Sequence, residues 1–143
     1  MPLEATHRVN VTTTGWQEES DVARADDGSY VVVWSTSGQP PIDEAVLARR
    51  YSALGVPVGS EFRVDTGSPG LLPHPKVEMT GPGAFLVVWE NDPNGWAEIR
   101  GRAYDSGGVP LGPPFPIHAA SAGEQHTPEV VRDAGSGYLV AWR

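Results

Sequence analysis

Four histidines, His7, His74, His118 and His126, are the first residues in this 143-residue chain that could do chemistry. Imidazole serves as a proton shuttle or a metal ligand near neutral pH, and metal-binding pairs favour spacings such as H-x3-H or H-E-x-x-H. None of the four stands in such a spacing, so solvated loop histidines are expected and no metal or cofactor is assigned. The run Asn91-Asp92-Pro93-Asn94-Gly95 is rich in oxygen ligands and could cap Ca²⁺ with Glu98 as a distal acid. Pro93 and the short length make it a poor calcium loop, and a polar turn is the expectation. Asp21, Asp26, Asp27, Asp92 and Glu98 could supply an acid–base pair, but nothing in their spacing brings two together. There is no Cys, no G-x-S-x-G and no phosphate-cradling glycine pattern after a strand. No catalytic residue is assigned, and an enzyme is not expected.

Binding residues are easier to nominate. Arg49 and Arg102 recur beside Tyr51 and Tyr104. They could form a row for carboxylates or sugars, but recurrence favours a structural role in which each guanidinium stacks on an aromatic ring or pairs with an acid. Trp16 and Trp96 stand outside any repeated pattern, flanked by polar residues. A loop Trp suits a sugar face, a partner pocket or packing between subunits.

The elements that must position these residues come from an internal repeat. Tyr30-Val31-Val32-Val33-Trp34 returns as Phe85-Leu86-Val87-Val88-Trp89 and as Tyr138-Leu139-Val140-Ala141-Trp142, each with a Val twelve residues before the Trp (Val22, Val77, Val130). Arg49-Arg50-Tyr51 and Gly55-Val56-Pro57-Val58-Gly59 return as Arg102-Ala103-Tyr104 and Gly108-Val109-Pro110-Leu111-Gly112. Phe62-Arg63-Val64 returns as Phe115-Pro116-Ile117, with Arg8-Val9 a weaker first copy and Pro2-Leu3 matching Pro57-Val58. The chain reads as one domain, 1–143, of about 2.75 units of about 53 residues: 2–59, 60–112 and 113–143.

Each complete unit holds four strand candidates: a short one (8–11, 61–64, 115–118 in the third), one that carries the Val anchor near its start (21–25, 76–80, 129–132 in the third), the Trp strand, and a last one (45–51, 98–104). Asp26-Asp27-Gly28, Gly81-Pro82-Gly83 and Ala134-Gly135-Ser136-Gly137 read as hairpins. Residues 35–44, with Pro40-Pro41, read as a longer loop. The Trp strands are apolar throughout, as expected of strands covered on both faces. Trp34, Trp89 and Trp142, with Tyr51, Tyr104, Phe62 and Phe115, are the expected anchors. Each buried Trp is worth at most about 4–6 kcal/mol. The third unit lacks its last strand, which is therefore expected from another chain or from a longer protein.

The segment ARRYSALGVPVGSEFRV (48–64), read with the Trp strands, resembles a repeat of large secreted or surface-exposed bacterial proteins. The resemblance covers nearly the whole chain. It implies β-propeller-type four-stranded blades, an extracellular or cell-surface setting and no assigned activity. The family's Asn after the Phe-x-Val strand survives only as Asn10, with Asp65 and His118 in its other places, and Ser20 stands where Pro75 and Pro128 recur. Fewer than three units cannot close a propeller, so completion by homo-oligomerisation is expected. A single-chain threefold β-trefoil or β-prism is the alternative fold.

Charge and composition narrow the partners. With net charge −8, one Lys and nine Arg, the chain is a poor ligand for nucleic acid. Seventeen Gly and fourteen Pro favour short strands over helices. No apolar stretch is long enough to cross a bilayer, and residues 1–10 carry no signal-peptide pattern. The reading is a non-catalytic repeat module that acts by self-assembly and by binding or adhesion to a glycan or surface protein. The alternatives are a lectin-like carbohydrate binder and, more weakly, a propeller-type hydrolase.

Overall fold

Alternation of side chains with period two, interrupted by Gly and Asp turns, produces an all-β chain. The computed structural model describes residues 6–39, 42–67, 73–92, 95–118, 123–135 and 137–143, with the side chains of 39, 42 and 43 also outside that description. The expected turn residues Pro40, Pro41, Pro93, Asn94 and Ser136, and the Pro2-Leu3 pair, lie outside the described residues.

Among the described residues there are strands and no helix: β1 Trp16–Arg24, β2 Tyr30–Gln39, β3 Ile42–Tyr51, β4 Phe62–Arg63, β5 Lys76–Gly81, β6 Ala84–Asn91, β7 Glu98–Tyr104, β8 Phe115–Pro116, β9 Glu129–Arg132 and β10 Tyr138–Ala141. They form two four-stranded antiparallel sheets, β1-β2-β3-β4 and β5-β6-β7-β8, and a two-stranded sheet, β9-β10. The registers are those of the repeat. Val22 faces Val32, Val77 faces Val87 and Val130 faces Val140.

The sheets are offset from the sequence units. Phe62-Arg63 belongs to the sheet of the unit before it, because the chain leaving β3 folds straight back along β3. Ser52 N–H donates to Val56 O, Pro57 lies opposite Tyr51, and Val58 N–H donates to Arg50 O. Phe62 then pairs with Ala48 and Arg63 with Leu47. The second sheet repeats each step: Pro110 opposite Tyr104, Leu111 N–H to Ala103 O, Phe115 opposite Gly101. Segments close in sequence pair most readily, since closing a short loop costs least entropy.

Four sequence expectations need correction. Residues 8–11 form no strand and instead lie across the outer side of the first sheet. Residues 35–44 are largely ladder rather than loop, with Ser35 opposite Val46, Thr36 opposite Ala45 and Ser37 opposite Glu44. Small hydroxyl side chains fit a pleated, half-buried surface, so the ladder simply continues. Trp16 stands in β1 rather than in a loop. Trp142 lies beyond the end of β10 and is 40% exposed, and Phe115 is 42% exposed, so neither is a buried anchor. Among the described residues no strand pairs with the far edge of β10, and Trp142 lies beside His118, with ring centroids 6.0 Å apart.

Stacking follows from the alternation. The face of the first sheet bearing Ala23, Val31, Val33, Val46 and Ala48 packs on the face of the second bearing Val77, Phe85, Val87, Trp89 and Tyr104. Leu86, Val88 and Ile99, on the opposite face of the second sheet, pack on Val130, Tyr138 and Val140. β6 is consequently buried from Phe85 to Glu90. Strands β1, β5 and β9, each at one edge of its sheet, lie next to one another in the stack.

Candidate functional site

The two sheet–sheet interfaces are one interface used twice. Val31, Val33, Val46 and Val64 of the first correspond by repeat position to Leu86, Val88, Ile99 and Ile117 of the second. Opposite them, Val77, Phe85 and Val87 correspond to Val130, Tyr138 and Val140. Gly101 takes the place that Ala48 holds in the first copy, beside the larger Ile117 in place of Val64. A Cβ there would sit 2.8 Å from Ile117 Cδ1, within the packed layer.

The recurring arginines each hold an outer segment against a sheet, Arg102 across the first interface and Arg49 on the open side of the first sheet. Arg102 Nη1 donates to Val64 O at 2.9 Å and its Nε to Gly112 O at 3.2 Å, while its guanidinium lies 5.8 Å from the Tyr104 ring centroid. Arg49 Nη1 donates to Val9 O at 2.8 Å, with its guanidinium 5.7 Å from the Tyr51 centroid. Val9 therefore occupies, against the first sheet, the place Val64 occupies against the second. Both guanidinium groups are within cation–π range, and both are spent on backbone carbonyls rather than on an open row. Burial pushes the Tyr104 and Tyr51 phenols upward, and the neighbouring arginines pull the other way. The Tyr104 ring stacks on Phe85 at 4.5 Å, and Tyr51 on Tyr30 at 4.8 Å.

A polar cluster that sequence spacing did not reveal sits between the sheets. Glu90, on β6 and 6% exposed, accepts from Thr127 N–H at 2.6 Å. His74 Nδ1 lies 3.1 Å from its Oε1 and His126 Nδ1 lies 3.1 Å from its Oε2. His126 Nε2 in turn faces Glu124 at 3.4 Å, and His74 Nε2 lies 3.9 Å from Glu19. The hydrogen bonds to Glu90 and Glu124 raise the His126 pKa above the ordinary histidine value. His126 also exchanges backbone hydrogen bonds with Arg143 in both directions, so the cluster ties β9-β10 to the second sheet.

Backbone strain concentrates in the same place. Glu19, His74 and Thr127 are the non-glycine residues with positive φ among the described residues, at 49°, 41° and 48°. All three precede the Val anchors Val22, Val77 and Val130 by three positions. In β1 this residue sits in a bulge between Glu18 and Asp21, where the ladder skips. Left-handed backbone at a β-branched Thr is costly, and its presence in every repeat marks a fixed bend at or just before the first strand of each sheet. The sequence signal was the constant offset from the Val, followed by Pro75 and Pro128.

The remaining sequence candidates do not converge. Trp16, at the start of β1, is 71% exposed and Trp96, between β6 and β7, is 69% exposed. Trp16 borders a small recess with Glu18, Ser35, Ser37 and Glu44. His7 packs on Tyr51 and His118 lies near Trp142, so the four histidines form one pair and two separate members. Asp27 is engaged in its own turn, accepting from Ser29 N–H and Oγ–H, which holds its carboxyl below the ordinary value.

Comparison with known proteins finds no family model, no curated protein and no solved structure that matches this chain.

Proposed function

We propose that this chain is a non-catalytic module of propeller-type blades that self-assembles and acts by binding or adhesion at a cell surface or outside the cell. One observation carries the reading: the stack ends in open apolar faces whose equivalents inside the chain are buried. Val22 is 60% exposed, whereas its counterparts Val77 and Val130 are 3% and 6% exposed. Exposed apolar surface of this kind marks an interaction face. The residues with chemical potential, Glu90, His74, His126, Arg49 and Arg102, bond across or beside the sheets, which supports a structural role. The extracellular setting rests on the repeat resemblance. Light scattering on a size-exclusion column tests the reading. A closed multiple of 15.3 kDa is expected, and a monomer at every concentration overturns self-assembly.

A second reading, a carbohydrate binder, is favoured by Trp16, which stands 71% exposed beside serine hydroxyls and two glutamates. Sugars stack on such an indole while adjacent polar groups take their hydroxyls. Binding on a glycan array that Trp16→Ala abolishes would support it, and a silent array would remove it.

A further inference from the structure

Resting on the self-assembly proposal, we infer that the outer face of β9-β10 of one copy docks on the outer face of β1-β2 of a second, head to tail. The internal interfaces define what each face accepts. By repeat position Val131, Leu139 and Ala141 correspond to Ala23, Val31 and Val33, the first-sheet residues buried against the second sheet. Val22, Val32 and Trp34 correspond to Val77, Val87 and Trp89, which receive them, and of the three Trp34 is already covered at 4% exposed while Val22 stands open at 60%. Val131 and Leu139 are 51% and 63% exposed. A third instance of the interface therefore exists as two halves at opposite ends of one molecule.

The receiving half leaves room for the two strands β9 and β10, with the place equivalent to β3 unfilled beside them. Residues 8–11 already take the outer-strand place, held by Arg49 on Val9 O. The inner part stays open as a cavity of about 250 Å³ lined in part by Val32 and Trp34, and a recess of about 400 Å³ beside Val22 and Tyr30. Two surfaces of different identity make a heterologous contact, which closes into a ring or extends as a fibre according to the angle between copies.

Charge sets the strength. Lys76 and Glu129 pair at 3.2 Å across the second internal interface. At the copy–copy contact the equivalent positions hold Glu129 and Asp21, two acids. Association is thus weaker than internal stacking, reversible, and favoured by added salt, which screens like charges.

The chain has no Cys, so single cysteines report the contact directly. Val22→Cys and Val131→Cys, both at exposed positions, are mixed at high protein concentration under mild oxidation. A 22–131 disulfide dimer is expected from the mixture, and little from either variant alone, since a disulfide needs Cα atoms within about 7 Å. Disulfides of 22 with 22 or 131 with 131, or no crosslink in an assembled sample, overturn this face pairing and leave self-assembly standing. A monomer by light scattering overturns both. Val22→Arg should also weaken association by about tenfold or more without changing the melting of the dilute chain.

Discussion

Replacing Glu90 with Gln keeps the shape of the buried side chain and removes its charge. Glu90 is 6% exposed and holds Thr127 N–H at 2.6 Å, with two imidazoles each 3.1 Å from its oxygens. A hydrogen bond to a charged acceptor contributes about 1.5–3 kcal/mol and a neutral one about 0.5–1.5 kcal/mol, so the substitution costs about 1–1.5 kcal/mol at Thr127. The histidines, with side chains 31% and 42% exposed, add little beyond this. For a chain of this length that cost lowers Tm by about 5 °C. The loss should depend on pH. The folded-state pKa of His126 is raised, first by its hydrogen bond to Glu90. A raised histidine stabilises fully below its unfolded value of about 6.5, and that contribution fades as pH climbs through the folded value. Wild type should therefore exceed Glu90→Gln by more at pH 6 than at pH 8.5. Urea denaturation at both values, fitted with a common m-value, measures the two differences. Equal differences at the two pH values, or a variant as stable as wild type, would refute the coupling of Glu90 to His126.

Other substitutions test the repeated interface itself. Arg102→Lys cannot serve Val64 O and Gly112 O together and should cost about 1–2 kcal/mol in urea denaturation, more than Arg49→Lys, which loses its bond to a segment outside any sheet. Gly101→Ala places a methyl 2.8 Å from Ile117 Cδ1, the free end of a side chain that can turn aside, so stability in differential scanning calorimetry should change by less than about 1 kcal/mol, as Ala48 is accommodated at the equivalent position. Ser20→Pro follows the left-handed residue Glu19 as Pro75 and Pro128 follow His74 and Thr127. Ser20 lies in the skipped part of the β1 ladder, so the substitution should stabilise by about 0.4–1 kcal/mol, and a lowered Tm would contradict the equivalence of the three bends.

The membrane question has a narrow answer: no helix among the described residues is long and apolar enough to cross a bilayer.

Much of the fold was legible in the residues alone. Strand identity at 30–34, 85–89 and 138–140 follows from β-branched and aromatic residues between Gly-bearing turns, which are local preferences needing no partner. The equivalence of Val22, Val77 and Val130 needed only the repeat. Tertiary structure decided what spacing cannot encode. Phe62-Arg63 closes the preceding sheet because the chain folds back over a short turn at Tyr51 and Pro57. His74 meets Glu90 along the β5–β6 hairpin, where the Lys76–Val88 register continues and Glu90 N–H donates to Pro73 O, and His126 joins them because stacking lays the next sheet over this one. The arginines, expected to stack on an aromatic or pair with an acid, lie by Tyr51 and Tyr104 and donate to the carbonyls of Val9 and Val64, partners that only the packing of an outer segment against each sheet supplies. Trp34, Trp89 and Trp142 carry the same local sequence and differ in burial, at 4%, 1% and 40% exposed. Local propensity selects the strand, whereas burial is set by what packs against it.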